Sequence, residues 1–136
     1  MTKITTEYLL SILTPNFELN RRGKRSPYLE CDAGWNDIIA DLHTKLAMLY
    51  PNYSILQIKE KLGGLRFYTG SVSDEIHNEF HNIIGLAEEL SYRTCEACGA
   101  KGTMCKREGW IKTLCRPCFD VWSKDSENCQ YGFKWE

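Results

Sequence analysis

The sequence has almost no net charge and no long apolar run. Its 136 residues set 17 Lys and Arg against 18 Asp and Glu, a formal charge of −1. No global field therefore draws the chain to nucleic acid or to an anionic membrane. No apolar stretch approaches the roughly 20 residues that a membrane-spanning helix needs. The opening Met1-Thr-Lys-Ile-Thr-Thr-Glu7 lacks an apolar h-region, so no secretory signal is expected and a reducing cytoplasm is the expected location. Internal repeats and low-complexity tracts are also missing. With 43% hydrophobic residues, the composition is that of a chain that folds around one core.

Signatures of catalysis are equally scarce. There is no Gly-x-Ser-x-Gly elbow and no dinucleotide fingerprint. Gly64-Leu-Arg-Phe-Tyr-Thr-Gly70 has neither the lysine nor the strand-to-helix setting of a phosphate loop. His77 and His81 are four residues apart, but the glutamate between them, Glu79, is not next to the first histidine as metalloproteases require. Glu88 shares the histidine face, yet lies roughly 10 Å further along the axis. No pattern links Cys31 to His43. An enzyme is not expected.

What is present begins with periodicity. Residues 5–13 fit a short amphipathic helix with Tyr8, Leu9 and Ile12 on one face, followed by a basic loop over 15–26 and a short strand over 28–31. Trp35, Ile38, Ile39, Leu42, Leu46 and Leu49 recur at helical spacing, and Pro51 marks the stop. Asp41 and Lys45 fit an i,i+4 pair on the opposite face. Residues 53–69 change period: Leu56 and Ile58 alternate with polar neighbours, and two β-prone runs flank Gly63-Gly64, which reads as a hairpin. Such a hairpin must pack on helices or gain a third strand. Ser73 is placed to cap a long helix, with Asp74 and Glu75 in its first turn and Ile76, Phe80, Ile83, Ala87 and Leu90 as its buried stripe.

That helix runs almost directly into the most specific signal. Cys95-Glu-Ala-Cys98 and Cys115-Arg-Pro-Cys118 are two C-x2-C pairs separated by sixteen residues. Four thiolates at this spacing supply the tetrahedral shell of one structural zinc ion. Gly99 allows a tight turn beneath a metal-bound knuckle. Residues 103–114 fit a hairpin around Glu108-Gly109, and Phe119, Val121 and Trp122 fit a short helix opened by the second pair. This order describes a treble-clef-like module, with a zinc ribbon as the close alternative. Cys105 and Cys129 belong to no comparable pair, and Cys31 reads as a small apolar strand residue.

The cysteine segments, Cys95-Glu-Ala-Cys-Gly-Ala100 and Leu114-Cys-Arg-Pro-Cys118, resemble a GATA-type finger over residues 95–122. The spacer is about a residue shorter. Residues 123–136 are slightly acidic where such fingers are basic, so the resemblance implies the zinc fold rather than DNA reading. Over residues 31–118, Gly34-Trp35, Ile58-Lys-Glu-Lys-Leu-Gly-Gly-Leu-Arg-Phe-Tyr68 and Gly109-Trp-Ile-Lys-Thr-Leu-Cys115, together with the first cysteine pair, resemble a group of small bacterial and phage proteins. This implies a shared fold and no activity.

The expectation is an α+β fold: two main amphipathic helices on a small antiparallel hairpin or sheet over residues 1–94, and a zinc module with an aromatic tail over 95–136, rigidly continuous with the preceding helix. The expected role is non-catalytic, an adaptor or inhibitor of a protein partner; the resemblance adds a phage or bacterial regulator of a host complex. The alternative is nucleic-acid binding. Candidate contact residues are Arg21, Arg22, Lys24 and Arg25 in the loop, and Lys106, Arg107 and Lys112 in the hairpin. Tyr131, Phe133 and Trp135 would share one face if 130–135 were extended. Lys101 and Arg116 complete a local charge of +3 over residues 95–118.

Overall fold

Thr5 starts the first helix. Its hydroxyl accepts from the Tyr8 N–H at 3.1 Å, and α1 (Thr6–Leu13) follows in a computed structural model that describes residues 2–134. Leu9 and Leu13 are the buried positions, whereas Tyr8 points to solvent. The helix is too short for the whole expected face to meet the core. A tight turn at Thr14–Asn16 leads to the basic loop and to β1 (Leu29–Glu30). Another at Ala33–Trp35 opens α2 (Asn36–Leu49), which buries Ile38, Ile39, Leu42 and Leu46. Asp41 and Lys45 pair at 2.8 Å on its solvent side.

The hairpin is β2 (Ile55–Lys61) and β3 (Gly64–Thr69). Its turn is Leu62-Gly63, one residue earlier than Gly63-Gly64. Both turn residues have positive φ, 53° and 88°, as a two-residue turn matched to strand twist requires. A register shift between Ile55 and Gln57 interrupts the alternation, so Ile55 and Ile58 are buried while Leu56 is exposed. A bulge has this effect on a pleated strand. β1 joins β2 in parallel, giving a mixed sheet of order β1-β2-β3.

α3 (Asp74–Ser91) packs against α2 and β3. Ser73 holds the N-cap position without a side-chain cap bond. Phe80 and Ile84 are its buried apolar residues; Ile76, Ile83 and Ala87 are half-buried and Leu90 is exposed. The stripe is thus rotated from the expected one, because α3 faces both the sheet and α2. Its side chains also serve β3. The outward N–H groups of this edge strand donate to Ser91 Oγ (from Leu65, 2.8 Å) and to Glu88 Oε2 (from Phe67, 2.9 Å). Trp35, Tyr53, Phe67 and Phe80 anchor the main core with Leu9, Leu13, Ile39, Leu42, Leu46, Ile55, Ile58 and Leu65. His43 Nδ1 meets the Tyr53 hydroxyl at 2.6 Å, and burial lowers this histidine.

The C-terminal part holds β4 (Thr103–Arg107), β5 (Trp110–Leu114), α4 (Arg116–Trp122) and β6 (Cys129–Tyr131), with sheet order β5-β4-β6. The extended tail ends early. Gly132 has φ 73°, so Tyr131 and Phe133 do not continue one strand; Trp135 lies outside the described residues. Among the described residues no helix is long and apolar enough to cross a membrane.

Candidate metal centre

The four cysteines converge although sixteen residues separate the pairs. Their Sγ atoms all lie within 4.8 Å of one another, and Cys98 and Cys115 Sγ are 3.6 Å apart. A tetrahedral ion with metal–sulfur bonds of about 2.3 Å needs sulfurs about 3.8 Å apart. The donor set therefore fits one tetrahedral ion, and these four residues would hold it. Each pair reaches the site by its own local structure. The first forms a turn in which Gly99, at φ 87°, donates its N–H to the Cys95 carbonyl at 2.8 Å. In the second, Cys115 is the N-cap of α4 and Cys118 sits in its first turn.

The environment favours thiolate at one position. Burial opposes ionisation of Cys95, but backbone hydrogen bonds from Cys115, Cys98 and Ala97 outweigh it and bring the thiol down to about 7. Cys98 and Cys118 move up, through burial and then the neighbouring thiols. Four thiols at this separation cannot all ionise without a cation to compensate them. Leu114, Phe119 and Cys105 pack around them in a second small core. Cys105 donates to the Thr103 carbonyl at 3.3 Å and Cys129 to the Glu127 carbonyl at 3.5 Å; both pack beside the cluster and neither belongs to it.

Residues from the body clamp this centre in place. The Gly34 N–H donates to the Glu96 carbonyl at 2.7 Å and Trp35 Nε1 to the Thr94 carbonyl at 2.9 Å. The Thr2 N–H donates to the Cys98 carbonyl at 3.0 Å, and Thr113 Oγ1 to the Gly63 carbonyl at 2.7 Å. Glu96, 2% exposed, accepts from the Asp32 N–H at 3.0 Å. Lys112 reaches Asp32 at 3.0 Å. Burial raises the Glu96 carboxyl, and together with Glu96 and Asp32 it pushes the Cys31 thiol up to about 12, an inert thiol rather than a nucleophile. Sequence reasoning assigned no contact role to Gly34, Trp35, Glu96 or Thr113. Trp35 was legible as a buried position of the helical stripe; beyond that, the signal for these residues was their presence in the motif segments, which meet here.

The other candidates are scattered. Arg21, Arg22, Lys24 and Arg25 are exposed on the loop. The hairpin cations are engaged within the chain: Lys106 lies 5.0 Å from the Phe133 ring centre, Arg107 stacks on Trp122 at 4.6 Å and donates to its carbonyl at 2.8 Å, and Lys112 pairs with Asp32. Tyr131 packs on Phe119, ring centres 5.4 Å apart. His77 and His81 rings are 4.4 Å apart on the exposed face of α3. Val121 of α4, by contrast, is 77% exposed near the cysteine cluster, and Trp110, at the turn end of the β4–β5 hairpin, is 69% exposed. Val121 borders a shallow groove of about 440 Å³ formed with Ala97, Leu114, Pro117, Cys118 and Trp122, with the Asp32–Lys112 pair also in its lining. Against known proteins the chain has no match among family models, curated proteins or solved structures.

Proposed function

We propose that the chain is a zinc-stabilised, non-catalytic binding protein, an adaptor or inhibitor whose partner is another protein. The observation that carries this reading is the four-thiol cluster set beside an apolar groove. Four thiolates complete a tetrahedral shell, which leaves no position for a substrate or reactive water. Zinc is the ion favoured by an all-thiolate tetrahedral site, and it would act by folding the segment around it. The order of turn, hairpin and helix carrying the second pair is that of a treble clef. The groove gives the module a largely apolar contact surface, and Trp110 at the hairpin turn adds an exposed aromatic of the kind that anchors protein interfaces. A regulator of a host complex in a bacterium or phage is one concrete version, resting on resemblance alone. Nucleic acid gripped by the hairpin is less favoured, because Lys106, Arg107 and Lys112 already have partners within the chain.

Metal analysis is expected to find one zinc per chain, and Cys98→Ser or Cys118→Ser to abolish retention of the ion and unfold the C-terminal third. Affinity capture from nuclease-treated host lysate is expected to retain a protein that Trp110→Ala or Val121→Ser loses. Protein free of zinc with intact thiols would sink the metal reading; capture that vanishes on nuclease treatment would sink the protein-partner reading.

A further inference from the structure

The fold sets apart charges that the sequence already clusters. α3 lies on the buried side of the first sheet, and residues 72–92 carry Asp74, Glu75, Glu79, Glu88 and Glu89 without a Lys or Arg. The opposite, open side is basic. Strand alternation about the buried Ile58, Leu65 and Phe67 places Lys59, Lys61 and Arg66 there, with Gln57 and Tyr68. The basic loop is docked beside the same sheet: the Glu18 N–H donates to the Ile55 carbonyl at 3.0 Å and Phe17 bridges Ile55 in parallel. The loop is also closed on itself. Asn20 Oδ1 accepts from the N–H groups of Arg22 (2.9 Å) and Lys24 (3.1 Å), and the Asn20 N–H donates to the Lys24 carbonyl at 2.7 Å.

Among the described residues, Arg21, Arg22, Lys24, Arg25, Lys59, Lys61 and Arg66 form no ion pair within 4.0 Å. Glu18 and Glu30 lie on this side as well, and Glu88 of α3 is near enough to Arg66 to favour its charged form. Between loop and strands runs a groove of about 690 Å³, lined by Tyr28, Tyr68, Gln57, Asn20 and Ser26 together with Glu18 and Glu30; the loop cations lie in the chain between its lining residues Asn20 and Ser26 rather than in its wall. Tyr28 is 65% and Tyr68 41% exposed. Arg66 is held by Tyr92, whose hydroxyl accepts from it at 3.0 Å.

We infer that this open sheet face binds single-stranded nucleic acid, independently of the metal module. Unpaired cations on an ordered loop meet phosphates, and exposed tyrosines on a sheet offer stacking platforms for unpaired bases. Gln57 is held by Glu30 at 2.7 Å and Asn20 by Ser26 at 3.2 Å, so binding rests on phosphate contact and stacking rather than on base-edge hydrogen bonds. A second copy meeting this face with its own equivalent face would bring like charge, and the bases of a duplex, paired and stacked on one another, cannot splay onto the tyrosines.

The test is fluorescence anisotropy with labelled single strands of about 12 nucleotides, one RNA and one DNA. The matching duplex and a poly-glutamate peptide serve as comparisons. Binding of at least one strand is expected, falling roughly 50-fold between about 50 and 200 mM salt if four phosphates are contacted. RNA bound more tightly than DNA would mean that the 2′-hydroxyl is read; equal binding would mean phosphate and base alone. Tyr28→Ala and Tyr68→Ala should each weaken binding by roughly 5- to 150-fold, with circular dichroism unchanged because both side chains are exposed. Replacing Arg21, Arg22 and Lys24 by Gln should flatten the salt dependence, whereas Lys101→Gln on the metal module should change nothing. The inference is overturned if neither strand binds at low salt, if the duplex binds as tightly as the single strands, if poly-glutamate binds in their place, or if both tyrosine variants bind normally.

Discussion

Asp37 shows how much one side chain can organise. Its carboxylate accepts from the N–H groups of Lys3 and Ile4, each at 2.9 Å, while its own N–H donates to Thr2 Oγ1 at 3.2 Å. Thr2 thereby caps α2 from outside the helix, and it also touches the cysteine turn. Burial works to raise the Asp37 carboxyl, but the hydrogen bonds from Ile4 and Lys3 outweigh it and hold it below the usual range. A depressed carboxylate stabilises the fold above its unfolded pKa of about 3.9. That contribution disappears as pH falls through the lower folded value. Asp37→Asn should therefore cost up to about 1 kcal/mol at neutral pH, kept small by solvent screening. Urea melts should show the difference narrowing as pH falls below the unfolded carboxylate value and closing in stronger acid; a gap that persists in strong acid would mean the loss is steric. The sequence displays Asp37 only as a polar position on a helix. Its partners are 33 to 35 residues away, beyond the reach of any local pattern.

At the scale of elements, periodicity located α2, β2, β3 and α3 because helices and strands bury one face at a fixed repeat. It placed the faces less well. Ile84 is buried and Leu90 exposed because α3 divides its contacts between α2 and β3. The register shift beside Leu56 is likewise a property of the strand pair. Ser91 illustrates a role with no periodic signal: fully buried, it accepts from the Leu65 N–H and closes the edge of β3. Ser91→Ala would leave that N–H buried without an acceptor, at a cost of about 1–3 kcal/mol. Native-state hydrogen exchange should quicken at Leu65, while Phe67, bonded to Glu88, keeps its protection. Equal acceleration at both amides would mean that the whole helix–strand contact has loosened.

For the whole molecule, the joint between body and cysteine module is the decisive feature. A Cβ at Gly34 would fall on the carbonyl oxygens of Cys95 and Glu96. Backbone atoms cannot rotate away as a flexible side chain can. Gly34→Ala should therefore lower stability by about 3 kcal/mol or more and weaken metal retention, measured by thermal melting and by competition with a chelator. Unchanged melting would show that the module can shift without loss. The four clustered cysteines were legible in the sequence because each C-x2-C pair is a local pattern, and the helices and strands were legible for the same reason. Three things were decided only in three dimensions. Gly34 and Trp35 became the seat of the cysteine turn, the hairpin cations found aromatic and acidic partners, and the loop cations came to lie beside the open sheet. Each depends on segments far apart in the chain, and the energy of such contacts is defined only once packing has brought their surfaces together.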